Sequence, residues 1–302
     1  MKSIKKILQG TIRCTLTLIS PKLNTSVTFR VKFGRKLDFR NPQTLNEKIQ
    51  WLKFNTYWNN PVVKQCADKY RVRDYLIQQG QGNLLNDLLG VYDDIEGIDF
   101  SSLPSQFALK MNVGCSHNII VKDKTQLDIE QTKKKLKKWM KDKYYWLGWS
   151  EMQYKGVKPY ILIEKYLGDN QGHFPVDYKF YCMNGKATSV MVCEERDSLH
   201  HPKFFFMNRE WQKLPYTKEA FQYPDYQIKN PECIDKAFEI AEELSKEFPF
   251  VRVDLYIVGE KIYFGELTFT PAGGMDTEFK FKAPGVEKDT DTILGEQLKL
   301  PI

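Results

Sequence analysis

The stretch from Phe248 to Gly274, FPFVRVDLYIVGEKIYFGELTFTPAGG, narrows the choice of fold more than any other part of the chain. Two runs rich in β-branched and aromatic residues flank a turn at Gly259, so the segment reads as an antiparallel hairpin. Each run carries a carboxylate, Asp254 in VRVDLYIV and Glu266 in KIYFGELTF. Aspartate and glutamate are depleted from strands, and burying a lone charge is costly. Side by side on one face of the hairpin, they would offer hard oxygen ligands to a divalent cation. A partly hydrated Mg2+ bridging to phosphates is the usual occupant of such a site.

Whether the two carboxylates share a face depends on register. Side chains alternate along a strand, so Arg252 and Asp254 lie on one face and Glu266 and Thr268 on one face. A strict two-residue loop pairs Asp254 with Gly265 and sends Glu266 to the opposite side. A three-residue loop or a bulge at Gly259 pairs Arg252 with Glu266 instead. The metal reading therefore needs an extra residue, expected at Gly259. A cross-strand salt bridge between Arg252 and Glu266 is the structural alternative.

At 302 residues, with 14% aromatic content, the chain can bury one large core or two to three smaller ones. The net charge of +7 is modest, and the run Lys133–Lys143 (KKKLKKWMKDK) supplies much of it. Such a run reads as a solvated helix face, and no nucleic-acid partner is expected. Six cysteines are scattered without a C-x-x-C pair, which argues against a zinc ribbon or a thioredoxin-like motif and fits reduced thiols in a cytoplasm. No stretch is long and apolar enough to span a bilayer. The opening segment MKSIKKILQGTIRCTLTLISPKL is basic and then moderately apolar, interrupted by Arg13 and several threonines. It reads as an amphipathic helix packed on the body, with peripheral contact to the inner face of a membrane as the secondary reading.

Along the rest of the chain, Leu45, Ile49 and Leu52 recur at helical spacing, and Ala67–Gln79 reads as a helix ending before Gly80. FALKMNVGCSHNIIVKDK reads as strand, tight loop, strand. PYILIEKYLG is a buried-type strand, VDYKFYCMNGKATSVMVCEE a hairpin about Asn184-Gly185, and Pro231–Glu247 a helix. Three regions are expected: a helical 1–65, a smaller segment 66–163, and a larger 164–302 holding the carboxylate hairpin.

Two further constellations carry chemistry. Lys110 ends an apolar strand and precedes a loop with Gly114 and Ser116, a cation beside free backbone donors that suits a phosphate. An outward lysine on a surface hairpin is the plain alternative. ILIEKYLGD turns abruptly from apolar to Glu164-Lys165 and then Leu167-Gly168, either a cleft hinge or a simple strand end. His117 has no partner at ligand spacing and reads as structural. No Ser-His-Asp or Cys-His arrangement is evident.

Taken in order, CADKYRVRDYL, FALKMNVGCSHNIIVKDK, ILIEKYLGD, DYKFYCMNGKA and VRVDLYIVGEKIYFGELTFTPAGGM resemble the ATP-grasp superfamily, and within it the TupA-like family associated with teichuronopeptide and surface-polysaccharide synthesis. The resemblance covers most of the chain from about residue 36 onward. It implies an α+β fold in which two antiparallel-sheet subdomains clamp ATP, after a helical N-terminal region. It implies ATP contacts at Lys110 and Lys69 and around Gly114 and Ser116. It also implies an adenine-reading hinge over Glu164, Lys165, Tyr166 and Leu167, with Asp169 near the ribose. Asp254 and Glu266 match the Mg2+ carboxylates, and Thr268 stands where most of the superfamily carries a metal-binding asparagine. Arg252 matches an arginine that steadies a tetrahedral intermediate in D-alanine–D-alanine ligases, and Lys179 is a phosphate or substrate contact. The implied activity is a cytoplasmic ATP-dependent carboxylate–amine ligase working through an acyl phosphate. Its partners would be a glycan-precursor carboxylate of the uronic-acid type and an amino acid or amino sugar. The alternatives are a glycosyltransferase, whose nearest D-x-D match, Asp289-Thr290-Asp291, lies outside the hairpin and ranks it well below the ligase, and a kinase on the same fold.

Overall fold

The computed structural model describes residues 2–168, 175–195 and 202–301, with only the backbone of residues 2–6. Two compact units emerge, one from Met1–Thr25 with Tyr57–Leu167, the other from Ser26–Thr56 with Gly168–Ile302. The chain passes from the first to the second at Leu167/Gly168, and residues 26–56 belong with the C-terminal sheet. Long-range bonds explain that allegiance. Gln50 donates to the carbonyls of Gly273 and Gly274 at 2.9 and 2.6 Å, and Asn46 accepts from the Asp276 N–H at 2.7 Å.

The first unit is built on an antiparallel sheet of β1 (Leu88–Tyr92), β2 (Phe107–Met111), β3 (Asn118–Val121) and β4 (Ile161–Lys165), in the order β1-β4-β2-β3. Alternation sorts its side chains. Phe107, Leu109, Met111, Ile161 and Ile163 point into a core closed by Leu136 of the helix Ile129–Lys141. That helix starts where the Asp128 side chain accepts from Gln131 N–H. Its lysines stand largely in solvent, with Lys137 paired to Glu96 at 2.5 Å. Ala108 and Lys110 of β2, opposite Glu164 and Leu162 of β4, occupy the other face.

Of the span Ala67–Gln79, expected as one helix, Val72–Gln78 is helical; Ala67 closes the preceding helix Pro61–Ala67, and residues 68–71 turn between the two. Asp68 causes the break. Its Oδ1 accepts from the N–H groups of Tyr70 and Arg71 at 2.8 and 3.3 Å, a local turn that competes with helix propagation. Lys69 is thereby placed in a turn.

The second unit carries β5 (Val176–Met183), β6 (Lys186–Glu194), β7 (Lys203–Met207), β8 (Lys213–Leu214), β9 (Phe250–Val258) and β10 (Lys261–Thr268), ordered β10-β9-β5-β6-β7-β8. Asn184 and Gly185 turn β5 into β6 with φ of 52° and 77°, the left-handed pair a type I′ hairpin requires. One face of the sheet packs on the helix Ile234–Ser245 through Phe180, Val253 and Leu255, and Phe180 meets Phe238 edge-on with centroids 4.9 Å apart. The residues between them, Asp177, Lys179 and Tyr181 of β5 and Arg252 and Asp254 of β9, lie on the opposite face.

The hairpin carries its extra residue, but at Gly265 rather than Gly259. Val258 pairs with Lys261 across a two-residue turn, and the register holds to Phe264 opposite Leu255. It then slips, so that Glu266 pairs with Asp254 and Thr268 with Arg252. Phe264 therefore stays in the helix-packed core while Glu266, two residues on, emerges on the far face. The bulge residue must be small, because a Cβ at Gly265 would lie 2.8 Å from the Asp254 carbonyl oxygen. Gly265→Ala should therefore cost about 2 kcal/mol of stability by forcing the strands apart. A urea unfolding midpoint unchanged from the parent chain would show that the bulge absorbs the methyl group.

Candidate functional site

The face of the second sheet away from its helix carries a cluster of five charged side chains on three adjacent strands, Asp177, Lys179, Arg252, Asp254 and Glu266. Asp254 is the hub. Arg252 grips it with two parallel bonds, Nε to Oδ1 and Nη2 to Oδ2, both 2.7 Å. Lys179, opposite Asp254 on β5, donates to Oδ2 at 2.8 Å and pairs with Asp177 at 2.5 Å. Across the hairpin, Arg252 Nη2 stands 3.7 Å from Glu266 Oε1 and donates to Thr268 Oγ1 at 3.3 Å. The threonine donates in turn to Glu266 at 3.1 Å.

Burial sharpens these interactions. The Asp254 and Asp177 side chains are almost wholly enclosed, whereas Glu266 keeps 35% of its surface exposed. Burial works against the Lys179 ammonium, but Asp254 and Asp177 outweigh it and hold its pKa above the ordinary lysine value. Burial opposes the Arg252 charge in the same way and Asp254 again prevails, so both groups stay cationic. Tyr181, on the same face, is fully enclosed, and burial lifts its phenol far above the usual range.

Asp254, Glu266 and Thr268 form a set of hard oxygen donors, two of them carboxylates placed directly opposite one another. That set suits a Mg2+ completing its shell from water and phosphate rather than from an all-protein cage. Among the described residues no group of three or more His, Cys, Asp and Glu side chains is gathered around one point. Both Asp254 oxygens already accept hydrogen bonds, and each keeps further lone-pair capacity toward a cation. Asp177 and Tyr181 were not singled out in the sequence. Their signal is the alternation in VDYKFYCM, where residues 177, 179 and 181 are polar against the apolar Phe180.

In the first unit, Lys110 and Glu164 meet on one face of the sheet as neighbouring strand residues, 2.7 Å apart. β2 and β4 are hydrogen-bonded partners, so the FALK and ILIEK segments leave no room for a ligand between them; the sheet face that presents Lys110 is where one could sit. Lys165 follows the opposite parity and pairs with Asp87 at 3.3 Å in solvent, so it does not share the Lys110 face. Lys69 Nζ donates to the Gly114 carbonyl at 2.9 Å, bringing that lysine to the loop in which Gly114 and Ser116 take φ of 82° and 59°. His117 stacks on Trp139 with centroids 4.9 Å apart, and burial lowers its pKa, as befits a packing role. Tyr166 and Leu167 follow β4, and Asp169 lies outside the described residues.

Asp289-Thr290-Asp291 is a structural motif here. Asp289 caps the helix Thr290–Gln297 by accepting from Thr292 N–H, Thr290 donates to Tyr216 O, and buried Asp291 accepts from Asn46 N–H at 2.8 Å. Nothing in that arrangement leaves a pair of carboxylates for a metal-bound nucleotide sugar.

The TupA-like ATPgrasp family matches residues 47–299, and the chain belongs to that family. Similar solved structures include the D-alanine–D-alanine ligase of Bacillus anthracis complexed with ATP, at 15% identity and a TM-score of 0.42 over 68% of this chain and 55% of that one. The Helicobacter pylori D-alanine–D-alanine ligase overlaps at 12% identity and a TM-score of 0.42 over 86% and 70%. The phosphoribosylamine–glycine ligase of Thermotoga maritima overlaps at 13% and 0.41 over 72% and 52%. The chain thus spans just over half the length of the Bacillus anthracis ligase it overlaps. No curated protein matches it.

Two measurements follow from the charge geometry. Lys179→Met removes one cation from two enclosed carboxylates and should cost about 3 kcal/mol at neutral pH. Parallel urea titrations of both chains would reveal the loss; coincident midpoints would show that Lys179 contributes no stability there. Asp291 supplies a pH signature. Burial pushes its carboxyl up to about 6, so the folded chain holds this proton more tightly than the unfolded one. The contribution is present below about pH 4 and is lost as pH rises through 6, a decline of about 2–3 kcal/mol. Asp291→Asn should remove that slope from the difference between the two stability profiles; parallel profiles would place the titration elsewhere.

Proposed function

We propose that the chain is an ATP-dependent carboxylate–amine ligase. A substrate carboxylate takes the terminal phosphoryl group of ATP to give an acyl phosphate and ADP; an amine then displaces phosphate and leaves an amide. The observation that carries the proposal is the direct pairing of Glu266 with Asp254 beside Arg252 and Lys179, on one sheet face of a TupA-like ATP-grasp chain. Asp254, Glu266 and Thr268 would hold Mg2+, which when bound supplies positive charge to the phosphate oxygens. Lys179, kept cationic by its two aspartates, would bind an anionic oxygen. Arg252, fixed by Asp254, would steady the oxyanion formed when the amine attacks. Lys110, Lys69 and the Gly114–Ser116 loop would bind phosphate oxygens, and Glu164–Leu167, with Asp169, the nucleoside. No side-chain nucleophile is required.

For the substrates, the family resemblance points to bacterial surface-polysaccharide assembly, with a uronic-acid-type carboxylate as acceptor and an amino acid or amino sugar as amine. The kinase alternative differs only in its product. Incubating the chain with ATP, Mg2+, a uronic-acid precursor and hydroxylamine should yield a hydroxamate, with ADP release stimulated by amines. Arg252→Lys keeps the charge and loses the planar fork, so it should lower turnover by about tenfold or more with a smaller change in KM. A stable phosphate ester together with amine-independent ADP release would make the chain a kinase and end the ligase reading.

A further inference from the structure

The helix Lys2–Ile19 is amphipathic in the reverse of the usual sense. A helix on a soluble domain turns its apolar stripe inward. Here Gly10, Arg13 and Thr17, spaced three and four apart on one face, are the ones that meet the body. Thr17 Oγ1 donates to the Leu147 carbonyl at 2.7 Å and shares a hydrogen bond with Ser150 at 2.8 Å. Asn24 donates to both Thr17 and Ser150, at 2.8 and 3.0 Å. Arg13 lies 4.5 Å over the Trp149 ring, and Gly10 lets Tyr144 approach. The helix is thus anchored by polar contacts.

Its opposite face is apolar and open. Ile7, Leu8, Ile12, Leu18 and Ile19 are each between 49 and 71% exposed. At about 100° per residue they fall within one broad stripe. Two threonines lie inside that stripe, and their hydroxyls are turned away from solvent chemistry: Thr11 donates to Ile7 O and Thr15 to Thr11 O, both at 3.1 Å. What they present outward is methyl. Five large apolar side chains on one helix face are more than scattered surface residues, and such a patch marks an interaction surface.

Charge identifies the occupant. The helix begins with Lys2, Lys5 and Lys6, and the sequence has no aspartate or glutamate before Asp38. Two copies of this helix would bring like charges together. An anionic lipid surface complements the charge and also accepts the apolar stripe, at the boundary between headgroups and acyl chains. No helix among the described residues is long and apolar enough to cross a membrane, so the mode of contact would be lying on the surface. We propose that the Lys2–Ile19 helix docks this protein on anionic bilayers through Ile7, Leu8, Ile12, Leu18 and Ile19. The proposal is independent of the ligase reading, since its probe is a vesicle rather than a substrate.

The test is flotation of the full chain with phosphatidylcholine vesicles and with vesicles that also contain phosphatidylglycerol, at low and high salt. Binding should be about tenfold tighter to the anionic vesicles and should weaken with salt. The triple variant Ile12→Asn, Leu18→Asn, Ile19→Asn changes only exposed positions. It should lose at least tenfold in vesicle binding with an unchanged circular-dichroism melt. A single change, Ile12→Asn, should give a partial loss and serves if the triple variant melts early. No binding to either vesicle, or equal binding by parent and variants, overturns the proposal. So does self-association in sedimentation that the triple variant abolishes while vesicle binding is absent; the face would then join two copies of the chain.

Discussion

The candidate site depends on one surplus residue. Without the bulge at Gly265, Glu266 would face Val253 and be driven into the apolar layer against the helix Ile234–Ser245. A single carboxylate there, among Phe180, Leu255 and Phe264, would be buried without a partner, which no ordinary packing compensates. The extra residue reverses the parity of everything after it. Phe264 fills the core, Glu266 meets Asp254, and Thr268 meets Arg252. Glycine permits this because the Asp254 carbonyl comes too close for any side chain. A conformational rule at one position therefore decides the chemistry of a whole sheet face.

The buried charges constrain one another just as tightly. Arg252, Lys179 and Asp254 are nearly closed off from water, and each would be unstable there alone. Arg252 holds both oxygens of Asp254 in a planar fork, which fixes the carboxylate's direction as well as its charge. Lys179 is held from two sides by Asp177 and Asp254, so its position does not depend on a ligand. A site fixed by its own ion pairs has little reorganising left to do when a charged substrate arrives, which is what electrostatic stabilisation of a phosphoryl group or an oxyanion requires.

Much of this was readable from the residues. The order of strands and helices, the Asn184-Gly185 turn and the oddness of Asp254 and Glu266 in strands all follow from period-two alternation and turn chemistry. So does the basic helix at Ile129–Lys141. What the residues did not reveal is where a register slips. Both Gly259 and Gly265 could host the extra residue, and only the cross-strand packing of Phe264 on Leu255 selects the second. The break at Asp68 was hidden for a similar reason: an aspartate amid helix formers ends a helix only if its side chain finds the following N–H groups. The pairing of β2 with β4, with Lys110 and Glu164 lying 54 residues apart and a strand and two helices between, is a long-range choice that local patterns cannot specify.

Three carboxylates, Asp177, Asp254 and Glu266, and two cations, Lys179 and Arg252, stand together on the sheet face. The carboxylates are not held alike. Asp177 and Asp254 each have an ammonium or guanidinium within 2.8 Å, whereas Arg252 Nη2 stands 3.7 Å from Glu266, which also accepts from the Thr268 hydroxyl. Glu266 is also the most exposed of the three. The carboxylate that the bulge delivers thus sits where solvent can reach, directly across from the enclosed Asp254. A cation arriving with phosphates would meet that carboxylate first, with a second, already oriented, one strand deeper.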